Sequence, residues 1–316
     1  TKRYGKIWAL KNISFTVAEG EIMGFIGPNG AGKTTTMKIL SCFMPATSGN
    51  VSISGYDVFH QAHEVKKIIG FLPEQPPLYD DMTVNGYLEY VSQLKGIPRL
   101  RRKILMNRAL KICGLENVQN RLIKNLSKGY RQRVGIAQAI IHEPRVLILD
   151  EPTASLDPRQ TIEVRELIKK LSGEHTVILS THILPEMAQT CQKVAIINEG
   201  EIIGADTYPK LSSQLWHLDR TKIRFSHSVD QSINQDIEKI PGVISIETDA
   251  HNSGGVLIET EPEETKGVVS KIIEMGAQKN WGIREISPQE HTLEEVFVGL
   301  IQRHENKTMI SKVNSA

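Results

Sequence analysis

The chain has few cysteines, and none stands in a pairing pattern. Cys42, Cys113 and Cys191 are scattered over 316 residues, which offers neither a zinc-binding spacing nor a disulfide framework and fits a reducing compartment. A run of 18 apolar residues is also lacking, so we expect no membrane-spanning segment. The first residues have no apolar stretch typical of a secretory signal peptide. Because they also lack an initiator methionine, we expect a few native residues to precede them.

An excess of either charge is absent as well. Lysine and arginine number 38 and aspartate and glutamate 36, a formal net charge of +2. Such a balance gives no electrostatic case for binding nucleic acid or an anionic surface. Hydrophobic residues make up 40% of the chain and no polar low-complexity tract interrupts them, which predicts a folded protein with a sizeable core. Its length predicts two domains.

A glycine-rich segment is the most informative feature that the chain does have. Residues 27–35 (GPNGAGKTT) match a phosphate-binding loop and lie between an apolar run and a helix-like stretch. Its glycines let backbone N–H groups surround a polyphosphate at the positive end of the following helix. Lysine would reach the β- and γ-phosphates, and the next hydroxyl would bind Mg²⁺. The predicted nucleotide-binding residues are Gly27, Pro28, Asn29, Gly30, Ala31, Gly32, Lys33, Thr34 and Thr35.

Four short apolar runs predict the strands of a parallel sheet. They cover residues 22–26, 68–72, 146–149 and 176–179, and their continuous apolar character is typical of strands buried on both faces. Each run ends in polar residues of chemical interest. Because ligands bind beyond the carboxyl ends of such strands, we expect the side chains that follow them to converge on one crevice. These side chains are Lys33, Gln75, Asp150, Glu151 and His182.

Two other patterns surround this predicted α/β core. Residues 1–20 and 47–58 alternate between apolar and polar side chains and carry glycine-rich turns, which predicts a small antiparallel sheet. Residues from about 84 to 141 are mostly helical in pattern.

The C-terminal region differs from the core. After about residue 211, strand-like and helical runs follow the order β-α-β-β-α-β, which predicts a small ferredoxin-like α+β domain. We therefore predict domains over 1–212 and 213–302, with a polar, disordered tail over 303–316. An apolar stripe of Leu293, Val296 and Phe297 on a final helix must be buried. It would pair with a second copy or a membrane subunit, or pack on its own domain.

Two carboxylates follow the third apolar run. Asp150, at the predicted strand end, is suited to hold Mg²⁺, and Glu151 would polarise the attacking water. Solvated residues at a strand end are the alternative, which the phosphate loop in the same chain disfavours.

A second anion site is predicted at the start of another helix. Ser127 is suited to cap a helix that runs past Val134, and Gly129 lies beside it. Since one nucleotide does not need two phosphate cradles, this site would serve a nucleotide held by another copy or partner. The alternative is an ordinary capped helix that binds no anion.

Taken in order, these motifs resemble the ATP-binding-cassette (ABC) ATPase family over about residues 1–210. The residues that carry the resemblance are the phosphate loop, Gln75, LSKGYRQRV at 126–134, LILDEP at 147–152, ASLD at 154–157 and STH at 180–182. The resemblance implies a P-loop NTPase fold with an antiparallel β subdomain and a helical signature subdomain over about 80–143. Together with the C-terminal LEEVF at 293–297, the LSKGY motif resembles cassettes of ABC-2-type exporters.

The resemblance also implies a role for each matching residue. Tyr4 would stack on adenine, and the phosphate loop would bind ATP and Mg²⁺. Gln75 would link the metal and the water to the transporter contact. Asp150 would hold Mg²⁺, with Glu151 as catalytic base and His182 as switch histidine. Ser127 and Gly129 would grip the γ-phosphate of the opposite subunit, and Asp157 would join the two subunits. The usual signature is LSGGQ, so Lys128 and Tyr130 are departures from the family pattern.

The implied function is ATP hydrolysis that powers export through polytopic membrane permease subunits. Two cassettes, as a homodimer or a heterodimer, would sandwich two ATP molecules at the cytoplasmic face of the membrane. The alternative is a soluble ABC ATPase that acts on ribosomes or DNA, which the single phosphate loop and the lack of coiled-coil or zinc insertions disfavour. A scaffold without turnover is disfavoured by the presence of both Glu151 and His182.

Overall fold

A computed structural model describes the backbone of residues 1–216, 218–248, 254–289 and 291–313, and the side chains of these ranges except at 186 and 306–313. The chain divides into two compact units. Unit 1 comprises Thr1–Tyr208 together with the chain from Leu300 onward, and unit 2 comprises Pro209–Gly299. The domain boundaries at 212/213 and 302/303 stay a prediction about independently folding domains.

Unit 1 is built on a six-stranded sheet in the order β10-β9-β3-β8-β7-β6. Five strands are parallel, and β10 pairs antiparallel with β9 at the edge. The bounds of its strands are β3 Ile22–Ile26, β6 Ile69–Leu72, β7 Val146–Asp150, β8 Thr176–Thr181, β9 Lys193–Asn198 and β10 Glu201–Asp206. Every residue of β3, β7 and β8 is buried, as the continuous apolar runs predict.

The helices of unit 1 are α1 Lys33–Leu40, α2 Ala62–Ile68, α3 Val84–Leu94, α4 Arg99–Ile112, α5 Lys128–Ile140, α6 Pro158–Leu171 and α7 Leu184–Thr190. Helix α8, Tyr208–Leu215, begins at the boundary between the units and belongs almost wholly to unit 2. Two short 3₁₀ turns, Glu116–Val118 and Ile123–Asn125, precede α5. A buried cluster centred on Phe25, Met37 and Ile148 joins the sheet to α1. The helices α3, α4 and α5 lie within the region predicted to be helical.

The predicted antiparallel sheet differs from what is found. Two separate two-stranded ribbons form instead, β1 Lys2–Tyr4 with β2 Ile7–Leu10 and β4 Ser52–Ile53 with β5 Tyr56–Asp57. Residues 13–17, predicted as a strand, belong to none. Their alternating pattern has another cause, because Phe15 and Val17 pack against the core cluster while Ser14 and Thr16 are exposed. One-sided burial of an extended segment produces the same period of two as a strand.

Unit 2 contains a four-stranded antiparallel sheet in the order β12-β13-β11-β14. Its elements follow the predicted β-α-β-β-α-β order, while its assignment to the ferredoxin-like class stays a prediction. Their bounds are β11 Asp219–Phe225, α9 Gln231–Glu238, β12 Val243–Thr248, β13 Gly255–Thr260, α10 Thr265–Gln278 and β14 Ile283–Pro288. Its core is a separate apolar cluster around Ile223, Ile258 and Trp281.

The last helix departs from the sequence-based expectation in two ways. Helix α11 spans Leu293–Val313, so residues 303–313 are helical rather than disordered; residues 314–316 lie outside the described part. Leu293 is 3% exposed and Val296 is fully buried within the chain, while Phe297 is half-buried. Leu293 and Val296 are therefore covered by their own chain, which leaves only Phe297 of the stripe for a contact with a second copy or a membrane subunit.

Candidate nucleotide-binding site

The register of the parallel strands brings four of the predicted site residues, Lys33, Asp150, Glu151 and His182, to one edge of the sheet. Ile26 at the end of β3 pairs with Thr181 at the end of β8, and Asp150 at the end of β7 pairs with Ser180. The phosphate loop leaves β3, Glu151 follows β7 and His182 follows β8. Segments more than a hundred residues apart therefore meet where ligands of such sheets bind.

A cleft of about 370 Å³ opens at this edge. Its lining contains residues 29–35 of the phosphate loop together with Glu74, Glu151 and His182. It also contains Ala154 and Ser155 from the segment after Glu151. Glu74 adjoins the predicted Gln75 and was not among the predicted site residues.

The phosphate loop joins β3 to α1 through a backbone that requires glycine. Gly32 precedes the first residue of α1 and has a φ of 113°. A Cβ placed there would lie 2.8 Å from the carbonyl oxygen of Ala9. Only glycine adopts this conformation without strain and leaves that space. The loop therefore lies at the positive end of a helix, where backbone N–H groups attract anions.

Lys33 is 6% exposed, and its ammonium group points into the loop. Its Nζ donates to the carbonyl oxygen of Gly27 at 2.7 Å and lies 3.6 Å from Oε1 of Glu151. Buried charges are stable when they are paired and hydrogen-bonded, as here. Among the described residues that line the cleft, Lys33 is the only lysine, and it is held between the loop and the carboxylate that follows β7.

Asp150 is held by two hydroxyl groups. Oγ of Ser180 donates to Oδ1 of Asp150 at 2.6 Å, and Oγ1 of Thr34 lies 3.4 Å from the same oxygen. Burial raises the pKa of Asp150, and the negative charges of Glu151 and Glu74 act in the same direction, while both hydroxyl groups oppose the shift. Hydroxyl and carboxylate oxygens together form a hard donor pair of the kind that Mg²⁺ prefers.

Glu151 lies in a strained backbone conformation with a φ of 48°, a rare value for a residue other than glycine. Its backbone N–H donates to Oγ of Ser180 at 3.0 Å. The residue is 7% exposed, and its Oε2 lies 2.9 Å from Nδ1 of His182. The carboxylate is therefore oriented from two sides, by His182 and by Lys33.

Some predicted residues lie elsewhere. Gln75 is exposed and is not among the described residues that line the cleft. Tyr4 is 44% exposed on β1, with its hydroxyl 2.9 Å from Sδ of Met44, and it does not line the cleft either. Ser127 caps α5, and its Oγ accepts from the N–H of Tyr130 at 3.4 Å. Ser127 and Gly129 also lie outside the cleft lining.

Ser180 is the organising residue that sequence reasoning did not assign a role. It is fully buried and contacts both Asp150 and the backbone of Glu151. The signal was available, because a small hydroxyl residue precedes Thr181 and His182 at the end of an otherwise apolar run.

Comparisons with known proteins identify this architecture. The ABC transporter family model matches residues 10–154. The bacitracin transport ATP-binding protein BcrA of Bacillus licheniformis is 33% identical over 95% of this chain and 95% of its own length. The daunorubicin resistance ATP-binding protein DrrA3 of Streptomyces coeruleorubidus is 30% identical over 95% of this chain and 93% of its own.

A solved structure of the ATP-binding subunit of an ABC transporter aligns with a TM-score of 0.62 and 28% identity, over 67% of this chain and 89% of that one. The cassette MJ0796 in a dimeric post-hydrolysis state with ADP and Pi aligns with a TM-score of 0.59 and 29% identity, over 65% and 94%. These comparisons confirm the resemblance and the cassette fold predicted from the motifs. The chain belongs to the ABC transporter family, as an ATP-binding subunit that hydrolyses ATP.

Proposed function

We propose that the cleft binds ATP with Mg²⁺. Hydrolysis of this ATP would power export by membrane subunits to which this chain docks. The observation that carries the catalytic assignment is the position of Glu151, whose carboxylate lies between Lys33 at 3.6 Å and His182 at 2.9 Å in the cleft that the phosphate loop lines. In a nucleotide-binding cleft, such a carboxylate is suited to orient and polarise water.

The phosphate loop would hold the polyphosphate. Lys33 has to exchange its contact with the Gly27 carbonyl for the β- and γ-phosphates, which a flexible side chain does without movement of the backbone. Residues 29–35 would supply backbone N–H donors at the helix start. These donors and the lysine would stabilise the charge that develops during phosphoryl transfer.

The residues present also fit Mg²⁺. Thr34 and Asp150 converge to 3.4 Å and provide one hydroxyl and one carboxylate oxygen. The described residues contain no cluster of three or more His, Cys, Asp or Glu side chains suited to hold a metal by themselves. This agrees with the preference of Mg²⁺ for one or two protein ligands completed by substrate phosphates and water. When bound, the ion supplies neutralisation of phosphate charge. Gln75 would be a further Mg²⁺ ligand, a role that only the family resemblance supports.

The remaining residues belong to an assembly of two cassettes. Ser127 and Gly129 lie away from the cleft of their own chain, which agrees with a role on the nucleotide of the opposite subunit. Tyr4 would stack on adenine from β1, and Asp157 would join the subunits. The two cassettes are two copies of this chain or a pair of related chains.

The direction of transport rests on the relatives. One relative is named for bacitracin transport, and others are named for linearmycin and daunorubicin resistance. Removal of a toxic compound is the simplest common activity, so we propose ABC-2-type export at the cytoplasmic face of the membrane. None of the described helices combines the length and apolar character needed to cross a bilayer. A polytopic permease subunit would therefore provide the pathway.

The catalytic assignment is tested by Glu151→Gln. This variant is expected to bind ATP with near-normal affinity and to lose hydrolysis by about a hundredfold or more, because the water-orienting carboxylate is gone. Glu166→Gln is the matched control, since it removes the same charge at an exposed residue of α6. Near-normal turnover in Glu151→Gln would exclude Glu151 as the base.

The transport assignment is tested by affinity purification from detergent-solubilised membranes. Recovery of a polytopic membrane protein in stoichiometric amount supports the proposal. Recovery of ribosomes or DNA instead would favour the soluble ABC ATPase, an alternative that the relatives described here do not support.

A further inference from the structure

The signature turn of this chain is packed against the helix that follows the Asp157 loop. A Cβ placed on Gly129, in the first turn of α5, would lie 2.5 Å from Cδ and from Oε1 of Gln160 and 3.0 Å from its Cγ. The Gln160 side chain therefore lies directly over the Cα of Gly129. Residue 129 has to be glycine for this contact to form, and residue 160 needs a side chain long enough to reach it.

Gln160 is itself held by the Asp157 loop. Asp157 caps α6, and its Oδ1 accepts a 2.9 Å hydrogen bond from the backbone N–H of Gln160. Pro158 at the first position of the helix fixes the backbone further. The backbone at Gln160 is therefore fixed, and its side chain extends from there onto the first turn of α5.

A second contact joins the same two helices one turn further along. Arg133 of α5 is ion-paired with Glu163 of α6, and its guanidinium lies 5.9 Å from the ring centroid of Tyr130. Tyr130 is one of the two departures from the usual signature. Its ring, the Arg133 guanidinium and the Glu163 carboxylate form a continuous contact between α5 and α6.

We propose that Gln160 is a positioning residue for ATP hydrolysis, which holds Ser127 and Gly129 in the orientation that grips the nucleotide of the opposite subunit. The inference rests on the proposed function of the signature. Residues 151–160 run from the Glu151 carboxylate, past Ser155 in the cleft lining, to the side chain that supports the signature turn. One short segment thus links the catalytic site of a subunit to the surface that it presents to its partner.

The contact is steric, so the variants change the length and volume of the side chain. Gln160→Ala removes the support and leaves the Asp157 cap intact, because the cap uses only the backbone of residue 160. Gln160→Met restores length and volume without the amide. Gly129→Ala displaces the flexible end of Gln160 and so removes the same contact from the other side.

In the full-length protein, Gln160→Ala is expected to lower kcat for ATP by about fivefold or more, since small misplacements of positioning groups are costly. ATP affinity of the isolated monomer should be unchanged, because the signature acts on the partner's nucleotide. Gln160→Met should recover kcat to within about twofold of the wild type. Lys170→Ala is the matched control, because that exposed residue lies at the other end of α6, away from the contact with α5. Wild-type kcat in Gln160→Ala, or no recovery in Gln160→Met, would overturn the proposal.

A double-mutant cycle separates this contact from a general role of the signature. Gly129→Ala and Gln160→Ala should be non-additive, so that the double variant is no slower than the slower single variant, since both remove one contact. Multiplicative losses would overturn the inference.

Ser127→Arg keeps the two hypotheses distinguishable. If Ser127→Arg retains turnover, the proposed role of the signature fails; if it is inactive while Gln160→Ala is normal, the inference about Gln160 alone fails.

Discussion

Oγ of Ser180 donates a 2.6 Å hydrogen bond to Oδ1 of Asp150, from a position with no solvent exposure. Oγ of Ser180 also accepts a hydrogen bond from the backbone N–H of Glu151 at 3.0 Å. One hydroxyl group on β8 therefore orients the carboxylate of β7 that is proposed to hold Mg²⁺ and also the backbone of the residue proposed as the base. Asp150 and Glu151 are consecutive residues with different proposed functions. Ser180 therefore fixes the side chain of the first and the backbone of the second.

Ser180→Ala should weaken the active site without unfolding the protein. Loss of a buried hydrogen bond to a charged group costs about 1–3 kcal/mol of stability. We expect kcat to fall by about tenfold or more and the Mg²⁺ concentration for half-maximal activity to rise. Ser172→Ala is a suitable control, because its hydroxyl donates only to a carbonyl oxygen at the end of α6. A variant with normal Mg²⁺ dependence would contradict the role assigned to Ser180.

The raised pKa of Asp150 predicts a pH-dependent Mg²⁺ requirement. Mg²⁺ binds the ionised carboxylate, so the apparent Mg²⁺ affinity should fall as the pH drops through the raised pKa of Asp150. Glu74→Gln removes one of the negative charges that raise this pKa. The fall in Mg²⁺ affinity should therefore begin at a lower pH in Glu74→Gln, as measured by Mg²⁺ titration of ATPase activity. An unchanged pH profile would show that Glu74 does not act on Asp150.

His142 predicts a separate pH effect on stability. Burial, together with the nearby Lys95 ammonium, lowers the pKa of His142 to about 4 from an ordinary value of 6.5. Between these values the unfolded chain binds more protons than the folded one, so stability is complete above the unfolded pKa and is lost as the pH falls through this window. We expect a loss of about 2 kcal/mol in unfolding free energy between about pH 7 and pH 5.

Chemical denaturation at both pH values measures this effect. His142→Gln keeps a side chain that can donate to the carbonyl oxygen of Ile69, which the histidine ring contacts at 2.8 Å, and removes the titrating group. The variant should lose correspondingly less stability on acidification. An equal loss in both proteins would assign the acid sensitivity to other groups.

Mixed dimers test the composite sites. Ser127→Arg should abolish hydrolysis in a homogeneous sample while monomeric ATP binding is retained, because Ser127 lies outside the cleft of its own chain. Mixed with Lys33→Ala subunits, it should recover activity, since one site then combines an intact loop with an intact signature. Each mixed dimer therefore contains one intact site, where the wild-type dimer contains two. Complete inactivity of a verified mixed dimer would contradict the head-to-tail arrangement.

Much of the site could be predicted from the sequence because each element carries a local signal. The loop at 27–35 has its glycine spacing, and the runs that became β3, β7 and β8 are apolar throughout because both of their faces are buried. Polar residues directly after such runs are confined to one edge of the sheet by its parallel topology. This is why Lys33, Gln75, Asp150, Glu151 and His182 were expected together, although Gln75 is exposed and outside the described lining of the cleft.

Other features depended on contacts that no local pattern carries. The alternation of residues 13–17 predicts a strand, but only packing of Phe15 and Val17 on the core accounts for it. The stripe at Leu293 and Val296 is equally consistent with a docking surface, and burial within the chain decided otherwise. In both cases the pattern reports which side is buried, while the partner that buries it is a property of the folded chain.

The amino-acid sequence by itself determined the family, the nucleotide loop and the order of the catalytic motifs, because glycine conformation, strand burial and residue chemistry are local properties. Only the tertiary structure decided which side chains touch. It placed Ser180 beside Asp150, Glu151 between Lys33 and His182, and Gln160 over Gly129. Distances of this kind depend on the register of paired strands and the packing of helices, which arise from many weak contacts between distant segments of the chain.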